Sequence, residues 1–335
     1  MQSGVLEEQE YALHHLVKIS HERGDKYRFD SFPGLAEALI EKLLEVSTLF
    51  SDVEWSLSYQ EQEPCDRGET LNGLHGTPDI MKRIGFLRSR RQQDKIETED
   101  FSRRLNLIIE AGLVIRNMVM LEENAEFLSK LAPIRDTLVI LLTLPRSPSL
   151  IEIQHYGLEI AEQLTRYLSS TAEDPLLTSL LAYADGTDRG QIMTSLKSIS
   201  RIGVHLEGSI RRQELPIPTI QRLCEWLLLE DEDVRSACLD VLYQFSATID
   251  NVELLLHYVD VEALVKQLVR LLLHGARQDD NKETSKAPPR PPSPAGDVLM
   301  PRICTDHVEM LLGYNEPERS SQWYINLETV GKYGN

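Results

Sequence analysis

The chain has 335 residues, 41% hydrophobic and 26% charged, a balance that suits two compact domains or one elongated folded array. A formal net charge of −18 argues against direct nucleic-acid binding, because a phosphate backbone is held by Lys and Arg and repelled by carboxylates. No apolar run reaches transmembrane length and the opening MQSGVLEEQE is too acidic for a transit peptide, so no membrane association is expected.

Leu6 to Glu22 is predicted as a helix with a modest apolar stripe of Ala12, Leu13, Leu16 and Val17. RGDKYRFD breaks it at Gly24. A second helix restarts over SFPGLAEALIEKLLEVSTLF, with Asp30 or Ser31 near its cap and Pro33 in its first turn. The two form a hairpin. Residues 51–100 lack long periodicity and are rich in Gly, Pro and acidic residues, which predicts an inserted loop with short helices near Pro78 to Phe86. Lys82, Arg83, Arg88, Arg90 and Arg91 make it locally basic, most simply as a solvated face.

From Arg103 the helices become regular. Leu105 to Leu121 is apolar on nearly every face, so it must be enclosed by other helices. Glu122 to Leu131 is a shorter helix, Ala132-Pro133 breaks it, and Ile134 to Leu144 is a third apolar segment. Ser149 and Glu152 have capping-box spacing before a helix over Leu150 to Leu168. Asp174-Pro175 caps a short helix over Leu176 to Tyr183. Further helices follow over Gln191–Leu206, Thr219–Leu229, Val234–Phe245, Val252–Val259 and Val261–Leu272, the acidic run 230–233 favouring the helix start that follows it.

No stretch of five or more residues alternates as a half-buried strand should, so the fold class is all-α. Leu113, Leu158, Leu196 and Leu239 line up the long helices at steps of 45, 38 and 43 residues; the outer two match the spacing of about 40–47 of an armadillo or HEAT-like helical repeat superhelix and the middle one falls short of it. The expected organisation is a helical hairpin over 1–50 packing on the array and an acidic, polar insert, largely loop, over 51–100. Armadillo-like repeats follow over 101–277, then a disordered Pro-rich linker over 278–300 and a short helical tail over 301–335. Ser293-Pro294 in the linker has the pattern of a proline-directed phosphosite.

Motifs that carry chemistry are missing. There is no GxxxxGK[ST] loop, no GxGxxG after a strand and no GxSxG elbow, and the nine histidines form no HExxH. Cys65, Cys224, Cys238 and Cys304 include no CxxC pair, and Cys224 and Cys238 lie in helical apolar patterns as small hydrophobes. No enzyme activity, cofactor, metal or small-molecule substrate is expected. One polar pair, Arg116-Asn117, interrupts the apolar helix. It is the candidate partner-binding site, facing a groove as inner-helix Asn residues do in armadillo arrays. The alternative is that both groups satisfy carbonyls close by.

IRNMVMLEENAEFLSKL, HYGLEIAEQL and VRSACLDVLYQFSATIDNVELLL resemble the armadillo-like region of a chromatin-remodeller subunit family: the fungal RSC-complex subunit related to the ARID- and RFX-domain subunit of animal PBAF. SHERGDKYRFDSFPGLAEALIEKLLEVS and LNGLHGTPDI are similar to fungal members. LLGYNEPERSSQW resembles the entry into that family's RFX-type winged helix, whereas NLETVGKYGN does not continue it and no ARID precedes the array. The family's DNA-binding parts are therefore not carried over. The resemblance implies a non-catalytic, nuclear scaffold subunit of a SWI/SNF-type complex, acting in transcription regulation with other subunits as partners. Two other functions stay open: an importin- or catenin-like adaptor for extended peptides, and DNA binding through the C-terminal tail. Trp at only 55, 226 and 323 gives no adaptor-type ladder.

Overall fold

The computed structural model describes residues 5–23, 26–51, 53–59, 69–89, 99–168, 174–204, 215–229, 231–246, 249–260 and 262–271. The expected linker over 278–300, the tail over 301–335, Ser293, Cys65 and Cys304 lie outside them. The chain is an all-α helical repeat protein in two compact units, Met1–Leu206 and Glu207–Asn335.

In the first unit the helices are α1 (Leu6–Arg23), α2 (Leu35–Leu44), α3 (Val46–Ser51), α4 (Ile80–Ser89), α5 (Glu99–Met118), α6 (Glu122–Ser129), α7 (Ala132–Leu142), α8 (Ile151–Leu164), α9 (Pro175–Ala184) and α10 (Arg189–Val204). They stack in two layers. In one, α5 lies between α1 and α8, and α10 follows α8; in the other, α7 lies between α2 and α9. Adjacent members of the two layers pack as α2 on α5, α7 on α8 and α9 on α10. The N-terminal pair α1–α2 thus occupies the same relation to α5 as later helices do to one another.

The apolar pattern explains the stacking. α5 buries Leu105, Ile108, Ala111, Val114, Ile115 and Met118 because it has neighbours on three sides, α1, α2 and α8. α7 is more enclosed still: every residue from Thr137 to Leu142 is buried, under α2, α4, α6, α8, α9 and the ribbon below. At about 1.5–3 kcal/mol for each fully buried aliphatic side chain, both helices contribute strongly to the unit's stability. Gly112 allows the close approach of α5 and α8, since a Cβ there would stand 2.5 Å from Ile153 Cδ1 and 3.5 Å from Leu43 and Tyr156.

Several boundaries differ from the sequence expectation. α2 starts at Leu35, not near Ser31; Phe29–Ser31 is a separate 3-10 turn, and Gly34, at φ 81°, is the N-cap. A left-handed residue costs Gly little, so the chain turns sharply between the two. The Ser149–Glu152 capping box does not form. Pro148–Leu150 is a 3-10 turn, α8 has no side-chain cap, and Ser149 Oγ pairs with Ser147 Oγ at 2.9 Å. Asp174 does cap α9, its Oδ1 accepting the Leu176 N–H at 2.9 Å. Within 51–100 the structure holds, beside loop, α4 and two strands, β1 (Trp55–Ser58) and β2 (Glu69–Asn72), paired in parallel.

The second unit contains α11 (Ile217–Trp226), α12 (Glu232–Ser246), α13 (Ile249–Tyr258) and a helical segment, α14, over 262–271. Asp231 Oδ1 accepts the Val234 N–H at 3.2 Å at the start of α12. α12 buries Val234, Ala237, Cys238, Val241, Leu242 and Phe245. Burial pushes the Cys224 thiol up to about 11 and the Cys238 thiol up to about 12, so neither is a thiolate at neutral pH.

The two units share a repeated element. Val114, Ile115, Met118, Asn124 and Ala125 align with Val241, Leu242, Phe245, Asn251 and Val252 at a constant offset of 127 residues, and all ten are buried. The offset is three steps of about 42, within the helical-repeat range. The asparagines do the same work. Asn124 Nδ2 donates to Met118 O at 3.0 Å, and Asn251 Nδ2 donates to Phe245 O at 2.9 Å. Each ties down a carbonyl at the C-terminus of the preceding long helix, where four carbonyls lack an intrahelical partner.

Replacing Gly112 by Ala is expected to destabilise the chain by about 1–2 kcal/mol through overpacking, and removing Cδ1 by Ile153→Val in that background should recover part of it. Urea melts of the four-member mutant cycle should show a coupling of about 1 kcal/mol; strict additivity would disprove the close approach.

Candidate interaction site

Arg116 and Asn117 sit in the last turns of α5. Asn117 is buried, and its Nδ2 donates to Ser20 Oγ of α1 at 3.2 Å, while its Oδ1 accepts from Arg116 Nη1 at 3.2 Å. Ser20 Oγ in turn donates to Val17 O at 2.9 Å. Arg116 Nε pairs with Glu159 of α8. The structure therefore brings the two residues together but turns them toward α1 and α8. Besides the bond between them within α5, their partners in the structure are Ser20 of α1 and Glu159 of α8.

The Arg116 pair belongs to a series. Arg103 of α5 pairs through two nitrogens with Glu10 of α1. Arg201 Nη2 of α10 meets Glu162 Oε1 of α8 at 3.0 Å. Every step of the α1–α5–α8–α10 layer thus carries one Arg–Glu pair. Arg103 and Arg116 leave α5 in directions about 220° apart at about 100° per residue, which suits pairing on opposite sides. These groups are partly exposed and screened by solvent, so the pairs add little to stability and act on register instead.

Around these pairs the layer is acidic. Burial raises the Glu110 carboxyl, Glu10 adds to the rise, and His14 opposes it. Burial, then the bond to Glu152, pushes the Tyr156 hydroxyl up to about 12, which keeps it a neutral donor at physiological pH. Among the described residues no group of three His, Cys, Asp or Glu side chains is placed to hold a metal ion, and no helix is long and apolar enough to cross a membrane. What the surface offers is carboxylates, hydroxyls and scattered exposed apolar side chains such as Tyr11, Phe32, Phe86 and Met120, on a fixed frame.

Two buried polar anchors fix the loops on that frame, and sequence reasoning missed both. Asn124 receives the Phe29 N–H at 2.8 Å and donates to Tyr27 O at 2.6 Å, so the 26–34 turn is held on α6, with Phe29 stacked on Phe127 at 6.2 Å. Asp136, inside enclosed α7, accepts the Thr77 N–H at 2.7 Å and seats the turn after β2. Gly76, at φ 81°, supplies the bend just before Thr77. The only sequence signal for either anchor was an acid or amide within an apolar run.

No family model matches the chain. It is similar to the chromatin structure-remodeling complex subunit rsc9 of Schizosaccharomyces pombe, 23% identical over 323 residues, an alignment covering 94% of this chain. The chain spans 35% of that protein's length.

Asn124→Ala leaves the buried Phe29 N–H unpaired and frees two carbonyls, so it should cost about 2–3 kcal/mol in a chemical melt, whereas Asn117→Ala, with one neutral bond to α1, should cost about 1 kcal/mol. Equal losses would contradict the assigned geometry. Burial holds the Asp136 carboxyl above its ordinary value of 3.8, against the opposing Thr77 N–H and the nearby Arg135 and Arg83. The folded state binds that proton more tightly than the unfolded chain, so this group's contribution falls as pH rises from the ordinary value through the raised one. The stability of wild type minus that of Asp136→Asn should decline over that window, and a difference flat or rising with pH would refute the assignment.

Proposed function

We propose that this chain is a non-catalytic scaffold subunit of a nuclear, SWI/SNF-type chromatin-remodelling complex of the RSC kind, with other subunits of that complex as its partners. The observation that carries the reading is the similarity to a remodelling-complex subunit along 94% of the chain, on a helical repeat fold. In this reading the array is armadillo-like. Support comes from the 127-residue recurrence and from the short helix α6 between two longer ones, α5 and α7. Binding works by extended surface: stacked helices keep a long face rigid, so little ordering entropy opposes association. A stable interface buries about 1,200–2,000 Å² in total, which an array of this length can supply more than once. Arg116 and Asn117 then serve binding by holding α1, α5 and α8 in register, with the half-exposed Arg116 at the surface of that layer. The acidic balance sets nucleic-acid contact on other subunits.

Affinity capture of the tagged chain from nuclei in mild salt should bring down a remodelling ATPase and further subunits in near-stoichiometric amounts. Recovery of the chain alone would overturn the proposal. A gel shift on a duplex of ~30 bp, about 100 Å of helix, should show no sub-micromolar binding at physiological salt.

A further inference from the structure

The β1–β2 ribbon has two unequal edges. Its register pairs Trp55 with Glu69 and Leu57 with Leu71. The ladder is closed at its ends by the Glu69 N–H on Glu54 O, 3.1 Å, and the Gly73 N–H on Ser58 O, 2.8 Å. In a parallel pair with those bonds, residues 54, 56 and 58 face residues 69, 71 and 73, and the main chains of Trp55 and Leu57 on β1 and of Thr70 and Asn72 on β2 point outward. The chain closes the β2 edge itself. Arg83 Nη1 donates to Thr70 O at 3.1 Å, the Asn72 N–H donates to Thr77 Oγ1 at 3.0 Å, and Asn72 O accepts the Gly76 N–H at 3.2 Å. On the β1 edge, neither the N–H nor the C=O of Trp55 and Leu57 has a partner among the described residues.

The helix next to β1 brings two carboxylates to the end of that strand. α2 packs beside β1. Its Glu37 and Glu41, one turn apart, both act on the hydroxyl of Tyr59, the residue after β1, and add to the upward shift that burial causes. The Tyr59 ring is held over Gly73, where a Cβ would meet it at 2.7 Å. Like charges one turn apart disfavour the helix, and no ion pair to Glu37 or Glu41 exists among the described residues. An open strand edge recruits an extended segment by main-chain hydrogen bonds, and the side chains around it select the sequence.

We propose that the free edge of β1 is a docking site for an extended basic segment of a partner protein, which adds a third strand and sets Lys or Arg against Glu37 and Glu41. The inference goes beyond the remodeller reading and stands without it. The sealed β2 edge makes the interaction one-sided, and the carboxylates exclude a nucleic-acid strand as occupant.

Hydrogen exchange on the full chain tests it, with two probes of about nine residues (the span of an extended strand of about 30 Å): one alternating lysine with valine or threonine, the other with glutamate in place of lysine. In the free chain the Trp55 and Leu57 amides should exchange about tenfold or more faster than those of Leu71 and Gly73. The basic probe should slow both to the ladder rate. Glu37→Gln with Glu41→Gln, both near the surface, should weaken its binding about tenfold without lowering the melting temperature. Full protection in the free chain, equal binding of the acidic probe, binding that leaves Trp55 and Leu57 unprotected, no binding of the basic probe, or unchanged affinity of the double variant would each overturn the proposal.

Discussion

Two helices carry more apolar surface than any single neighbour can cover, and the rest of the first unit follows from enclosing them. α5 requires cover on three sides, and α1, α2 and α8 supply it; α7 requires it all round. A helix hydrophobic on every face is stable in water only inside a protein, so α5 and α7 cannot sit in the same outer position. They fall into different layers, and the helices that enclose them become members of a two-layer stack. The short α6 between them is the link that crosses from one layer to the other, and its position is held by Asn124 rather than by a large apolar face.

Enclosure also raises the cost of every polar group it takes in. An unpaired amide or carbonyl in such a setting costs about 1–3 kcal/mol, which is comparable to a whole aliphatic side chain. Each buried polar side chain of these two helices is accordingly bonded: Asn117 holds α1, Asp136 holds the turn after β2, and Thr137 bonds Pro133 O one turn back. The surface Arg–Glu pairs are weaker, but they recur at each step of one layer. Apolar packing supplies the stability, and the polar contacts select one register among stackings of similar burial.

The helices from α8 onward were legible in the sequence because their stripes are narrow and their breaks carry Pro, Gly or Asp. The Asp174 cap was readable because its partner lies two residues away. The Ser149–Glu152 pattern misled because Pro148 starts a 3-10 turn in which Ser147 competes for the Ser149 hydroxyl. The ribbon escaped notice because four-residue strands are too short for an alternation test. The polar break at Arg116-Asn117 was visible, but its meaning was not: Ser20 stands 97 positions away and Glu159 stands 43 away. Local spacing cannot choose between a carbonyl nearby, a partner protein and another helix of the same stack. The 127-residue recurrence was present in the sequence yet obscured by substitutions, since only the buried positions and the asparagine keep their chemistry.

The distribution of charge joins fold to function. The chain has 35 Lys and Arg against 53 Asp and Glu, and its cations are not spread evenly over the surface. Arg103, Arg116, Arg135 and Arg201 each pair with a carboxylate of another element, and Arg83 of α4 pairs with Glu69 of β2. Each such pair removes one charge of each sign from the field that an approaching molecule meets. The excess of carboxylate over cation is unchanged by such pairs, and Glu37 and Glu41 on α2 have no ion pair among the described residues. A surface of that kind selects basic protein segments and rejects phosphate backbones at the encounter step. The arginines that tie neighbouring helices together thus also shape the charge that the stack presents to solvent.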